Sequence, residues 1–172
     1  MRTSAAWALG QIEDRVAAPD LEELLAREDD RRVRLAAIEA LGNLEQLRSA
    51  TALAAVLEGN DITLAVAAAE ALGQLDGLTT VPPALVRAAE SADRRLRYAA
   101  LDALTQFEDE RLAPVLLRFI SDANPEVRVR VIEALGNLRA RIALPAITKA
   151  LQDPHPEVRR AAIEALAEID ER

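Results

Sequence analysis

The single histidine of the 172-residue chain, His155, stands between Pro154 and Pro156, and the chain contains no cysteine. Metal sites built from side chains commonly use three or four His, Cys or carboxylate ligands. One histidine with no partner of that kind reads as a polar residue at the start of a helix, so neither a metal nor a cofactor is expected. Carboxylates are plentiful, with Asp and Glu totalling 29. Two of them can share acid–base work only when a fold brings them to one bond. Here Glu39, Glu70, Asp102, Glu133 and Glu164 recur at intervals of 31 or 32 residues, which suits a surface column better than a catalytic pair. No G-x-S-x-G, glycine-rich phosphate loop or H-E-x-x-H occurs, so the chain reads as non-enzymatic.

The carboxylates recur because the whole chain does. IEALGNL is written twice, at Ile38–Leu44 and again 94 residues later at Ile132–Leu138. Taking its Leu as an anchor gives Leu9, Leu41, Leu72, Leu104, Leu135 and Leu166, at intervals of 32, 31, 32, 31 and 31. Eight residues before each anchor stands Met1, Val33, Leu64, Leu96, Val127 or Val158. The next residue is Arg (Arg2, Arg34, Arg97, Arg128, Arg159), except at Ala65. Ten residues after the anchor comes Pro19, Pro82, Pro114 or Pro145, with Thr51 the exception. Val158, Ala162, Ala165, Leu166 and Ile169 illustrate the spacing, which is helical and not the alternation of a strand. A second apolar run follows each proline. Proline is tolerated in a first helical turn, where the N–H groups lack intrahelical partners. Pro82-Pro83 should start a short or bent helix.

Two short helices per unit cannot bury an apolar face alone, whereas stacked units form one continuous core. The fold expected is all-α: a right-handed α-α solenoid with one unpaired N-terminal helix and five helix pairs. The boundaries are a half repeat over 1–12, then full repeats over 13–45, 46–76, 77–108, 109–139 and 140–172, in a single domain. Composition agrees: 51% of residues are hydrophobic but only 2% aromatic, so Ala, Leu, Val and Ile must build the core.

The unit of V-R, A-x-E-A-L-G and a proline-containing helix resembles HEAT repeats, most of all the short bacterial kind named after phycobilisome (bilin) lyases. That resemblance implies a ladder between units made by an Asp and an Arg six residues later. Asp122 with Arg128 and Asp153 with Arg159 match it. Ser91 stands six residues before Arg97 and position 65 is Ala, so the ladder should break in the middle of the stack. The resemblance also implies that the second helix of each pair lines a concave surface. HEAT-like deoxyhypusine hydroxylases bind iron through His-Glu pairs, which this chain lacks.

On the second helices, the face opposite the core stripe carries two columns. Two residues before the anchor stand Trp7, Glu39, Glu70, Asp102, Glu133 and Glu164; six before it stand Leu35, Val66, Tyr98 and Val129, between Thr3 and Arg160. A solvated helix face would be polar at both. An acidic column beside an apolar one suits an extended or helical protein segment with basic and apolar residues. Trp7 and Tyr98 are the expected hot spots, because large aromatics carry interface energy. The net charge of −8 repels phosphate backbones, so nucleic acid is not an expected partner. No apolar run is long enough to span a bilayer and no secretory signal is present, so the expected compartment is cytoplasmic. The unpaired N-terminal helix implies a homodimer or further upstream repeats. The expected function is a protein- or peptide-binding scaffold. The alternatives are a subunit of a bilin lyase or related cofactor-handling enzyme, and a structural or engineered repeat module.

Overall fold

The computed structural model describes residues 2–11, 15–75 and 77–170, excepting the side chains of residues 2, 7, 10, 11 and 15. Eleven α-helices and no strand occur among them: α1 (Arg2–Gln11), α2 (Ala18–Arg27), α3 (Arg31–Asn43), α4 (Ala50–Leu57), α5 (Ile62–Gly73), α6 (Pro83–Ala88), α7 (Arg94–Leu104), α8 (Ala113–Leu116), α9 (Pro125–Asn137), α10 (Leu144–Ala150) and α11 (Pro156–Asp170). One unpaired helix is therefore followed by five pairs, as the repeat demands. The chain forms two compact units, Met1–Leu104 and Thr105–Arg172.

In the first unit the second helices stack side by side, α1 on α3, α3 on α5 and α5 on α7, while α2, α4 and α6 form the other layer. Leu21, Ile38, Leu41, Leu44, Leu53, Leu72, Leu85 and Leu104 are fully buried between the layers. In the second unit α9 packs on α11, and α8 and α10 cover them from one side. Its core is built on Leu116, Ile132, Leu135 and Ile147. Methyl-rich side chains at helical spacing fill these cores without aromatic bulk.

The repeat's polar residues start each second helix. Asp30 accepts from the Arg32 N–H, Asp61 from Thr63 and Leu64, Asp93 from Arg95, and Asn124 from Glu126. Such caps satisfy N–H groups that have no partner within the helix. His155 holds the same place before Pro156, and its own N–H donates to Asp153 Oδ1 at 2.9 Å. The first helices are shorter. Four of them, α2, α4, α8 and α10, are entered through a 3-10 turn, and α6 after Pro82-Pro83 has only six residues.

Both copies of IEALGNL end in the same way. Glu45 and Arg139, the residues after each copy, have φ of 49°, the left-handed conformation that closes a helix. The Arg139 N–H donates to Gly136 O and the Ala140 N–H to Leu135 O. The motif's glycine is set by packing. A Cβ on Gly136 would stand 2.8 Å from Ala165 Cα, one on Gly42 3.2 Å from Ala71 Cα, and one on Gly73 3.0 Å from Ala103 Cα. The repeat's Gly thus faces the Ala of the next second helix, and its missing Cβ permits the close approach.

Candidate functional site

Arg128 is the one buried charged residue among the described residues. Its Nη1 donates to the Asp122 and Ala123 carbonyls, at 2.8 and 3.3 Å. Its Nε and Nη2 donate to the Asp153 carboxylate of the next repeat, at 2.9 and 2.8 Å. The six-residue spacing is thus met through a main-chain carbonyl, and the carboxylate contact runs between repeats. The Arg128 guanidinium, assisted by the His155 N–H, holds the Asp153 carboxyl below the usual carboxylate range against the opposing effect of burial. Arg159 repeats half of the arrangement, with Nη1 on the Asp153 and Pro154 carbonyls at 2.7 and 3.0 Å. Arg97 donates in the same way to Ser91 O at 3.1 Å.

Among the described residues of the first unit, Arg34 makes no such contact. Arg34 corresponds to Arg128, but the residue 25 positions on is Gly59 where Arg128 finds Asp153. Arg34 Nε is buried and has no hydrogen-bond partner. A different pair joins these repeats: Arg31 reaches the cap of α5, with Nε 2.8 Å from Asp61 Oδ2. Arg48 and Ser49 reach back to Glu22, and Arg87 to Glu58.

The two columns lie on the second helices. Leu35, Val66 and Tyr98 of α3, α5 and α7 are all half-buried, neither sealed in the core nor fully solvated. Glu39 and Glu70 are exposed and Asp102 is half-buried. Leu35 and Glu39 border a shallow apolar depression between α1 and α3, completed by Thr3, Ser4, Arg32 and Ala36. The Trp7 side chain, expected as a hot spot, lies outside the described residues. Two cations lie over Tyr98, with the Arg94 and Arg97 guanidinium carbons each 5.3 Å from its ring centroid. Arg94 Nε also donates to its hydroxyl at 3.3 Å. The apolar column therefore carries positive charge at α7. The signal for it was present in sequence, since Arg94 stands four residues before Tyr98, one helical turn away.

In the second unit Val129 is half-buried and Glu133 exposed. Both line a polar hollow over α9 and α11 with Gln106, Asn137, Arg130 and Arg160. Glu164 is exposed and stands 3.8 Å from Arg160 Nε. No group of three His, Asp or Glu among the described residues could hold a metal ion. No helix among them is long and apolar enough to cross a membrane.

The model for HEAT repeats matches residues 1–42, 49–121 and 113–172, almost the whole chain. The chain belongs to the HEAT repeats. Residues 33–59 also match the PBS lyase HEAT-like repeat. No curated protein matches it. Among solved structures, this HEAT-repeat chain is similar to the complex of CpcE and CpcF of phycocyanin lyase from Nostoc sp. PCC7120, at 26% identity and a TM-score of 0.67, covering 98% of this chain and 71% of that one. It is also similar to a designed armadillo repeat protein in complex with the peptide (KR)4, at 19% identity and a TM-score of 0.71, covering 97% and 92%. An engineered protein shares 20% identity with a TM-score of 0.69, covering 97% and 89%. The last two likenesses concern the fold alone.

Proposed function

We propose that this HEAT-repeat chain is a non-catalytic scaffold that binds a protein or peptide segment on the concave face, along the side of its second helices turned away from the core. The observation that carries this reading is the pairing of half-buried Leu35 and Val66 with exposed Glu39 and Glu70 on adjacent helices. The apolar residues supply contact area. The carboxylates set register and raise the association rate of a basic segment. Over the first unit the preferred segment is basic and apolar opposite α3 and α5, and aromatic or acidic opposite α7, where Arg94 and Arg97 flank Tyr98. In the second unit Val129, Glu133 and Glu164 extend the same reading. The ligand is a polypeptide and not a nucleic acid, no cofactor is required, and the compartment is the cytoplasm.

Selection from a displayed random-peptide library tests this. Enriched peptides should combine Arg or Lys with aliphatic residues, and their binding should weaken with salt and in a Glu39→Lys, Glu70→Lys variant. A folded variant with Leu35, Val66, Tyr98 and Val129 changed to Ser should lose them. Unchanged binding by that variant would refute the reading, and so would its unfolding, because the four residues would then serve the packing.

The likeness to the phycocyanin lyase complex over 98% of the chain favours a second reading, a bilin-lyase subunit. An absorbance change on mixing the chain with bilin would support it. An unaltered spectrum with bilin supplied would count against it.

A further inference from the structure

The charges beside the apolar column of the first unit are sorted by sign. On α3, Arg32 stands seven residues before Glu39, with Leu35 between them, and all three line one depression. On α7, Arg94 stands four residues before Tyr98; on α5, Glu70 stands four after Val66. Arg32, Arg94, Glu39 and Glu70 are exposed, and among the described residues none of them has an ion partner. Their charged neighbours neutralise each other, Arg31 with Asp61 and Arg95 with Asp93. A cationic edge and an acidic edge therefore flank Leu35, Val66 and Tyr98. The sorting belongs to this unit, since Glu126 and Glu157 stand at the position of Arg32 on α9 and α11.

The dimensions of this surface select a shape. Seven residues of α-helix span about 10.5 Å, which separates the two edges. An α-helix with its side chains is about 10–12 Å across, whereas one strand takes roughly 5 Å of a sheet. The step along the stack agrees. Helices that pack as α3, α5 and α7 do stand about 8–10 Å apart. Residues seven apart on a helix share a face at a spacing of about 10.5 Å, and a helix lying obliquely over the stack meets that step. Same-face residues of a strand recur at about 6.6 or 13 Å, further from it on either side.

We propose that the first unit holds an amphipathic α-helix of a partner protein, laid across α3, α5 and α7. The partner helix has apolar residues at i, i+7 and i+14, over Leu35, Val66 and Tyr98. It carries carboxylates on the flank that meets Arg32 and Arg94, and Lys or Arg on the flank that meets Glu39 and Glu70. This rests on the scaffold reading above and commits its ligand to a helix with sorted flanks. The sorting also fixes direction, because a helix with its two flanks exchanged lies the other way round.

The test uses the full chain and a fluorescent synthetic peptide that repeats Leu-Glu-Ala-Lys-Glu-Ala-Lys three times, which puts acids and bases on opposite flanks of a leucine stripe. Saturable anisotropy is expected. Mixing the two signs on each flank at constant composition should weaken it at least about fivefold, and so should proline in place of an outward alanine of the middle heptad. Arg32→Glu in the chain should weaken the sorted peptide by a similar factor. Arg32 is exposed, so that variant should keep its fold, which circular dichroism checks. Equal binding of the proline form would mean an extended ligand. Equal binding of the mixed form, or by the Arg32→Glu chain, would mean that the two edges are not read. Each of these results overturns the proposal and leaves the scaffold reading standing. Absence of binding up to about 1 mM of the sorted peptide overturns it too. The helix alone then falls if the displayed library still gives ligands, and both readings fall if it gives none.

Discussion

Arg128 of α9 holds the Asp153 carboxylate with two guanidinium nitrogens, and both side chains are nearly sealed, at 11% and 12% exposure. A buried pair of this kind gives modest net stability, because both ions lose their water. Breaking it is another matter, since the survivor stays buried and charged. Arg128→Ala should therefore cost about 3 kcal/mol, against less than about 1 kcal/mol for an exposed pair such as Arg27–Glu23. Urea denaturation of the two variants measures the contrast.

The same pair sets an acid limit. The bound Arg128 keeps the Asp153 pKa below its unfolded value. A depressed carboxylate contributes stability that is fully present above the unfolded pKa, near about 4, and is lost as pH falls through the folded value. Stability of the wild-type chain should fall below about pH 4, and Asp153→Asn should start lower and fall less steeply there. A series of urea melts from neutral pH into this acid range reads the difference.

Gly136 and Gly42 are expected to resist even one methyl. An added Cβ would meet Ala165 Cα at 2.8 Å or Ala71 Cα at 3.2 Å, backbone that can yield only by separating the helices. Overpacking of this kind typically costs about 1–3 kcal/mol. Gly136→Ala should lie at the upper end and Gly42→Ala lower, as thermal melts would show. Glu45 and Arg139 should respond in the opposite sense. Both hold positive φ without being glycine, so Glu45→Gly and Arg139→Gly should each be neutral to stabilising, by up to about 1 kcal/mol.

The sequence yielded the repeat, the eleven helices and their pairing because each apolar stripe has one helical period and one direction to face. It also supplied the reason for its irregular places: Pro82-Pro83 leaves α6 six residues long. The site was less legible. Leu35 and Val66 look the same in a list of residues whether they are sealed, half-covered or solvated, and only packing decides that. The charge that Arg94 and Arg97 bring to Tyr98 is not legible at the single repeat offset of Tyr98, because it comes from the neighbouring positions and the preceding helical turn. The left-handed Glu45 and Arg139 carry no residue-type signal at all.

One defect in the stack is open to repair. Arg34 Nε is buried without a partner, and Gly59 stands where Asp153 stands relative to Arg128, 25 residues on. A Cβ on Gly59 would meet only Val56 O, at 3.2 Å, a tight contact that a side chain can share once the Val56 carbonyl shifts by a few tenths of an ångström. Gly59→Asp should place a carboxylate against Arg34 and supply the link that Arg34 lacks. A hydrogen bond to a charged group contributes about 1.5–3 kcal/mol, less the cost of ordering two side chains. A net gain of about 1 kcal/mol is expected. Gly59→Ala controls for the loss of glycine's freedom in the unfolded chain. The expected order of melting temperatures is Gly59→Asp above Gly59→Ala, with the gap closing when Arg34 is changed to Met. A gap that persists in the Arg34→Met background would mean that the new carboxylate acts on some other group.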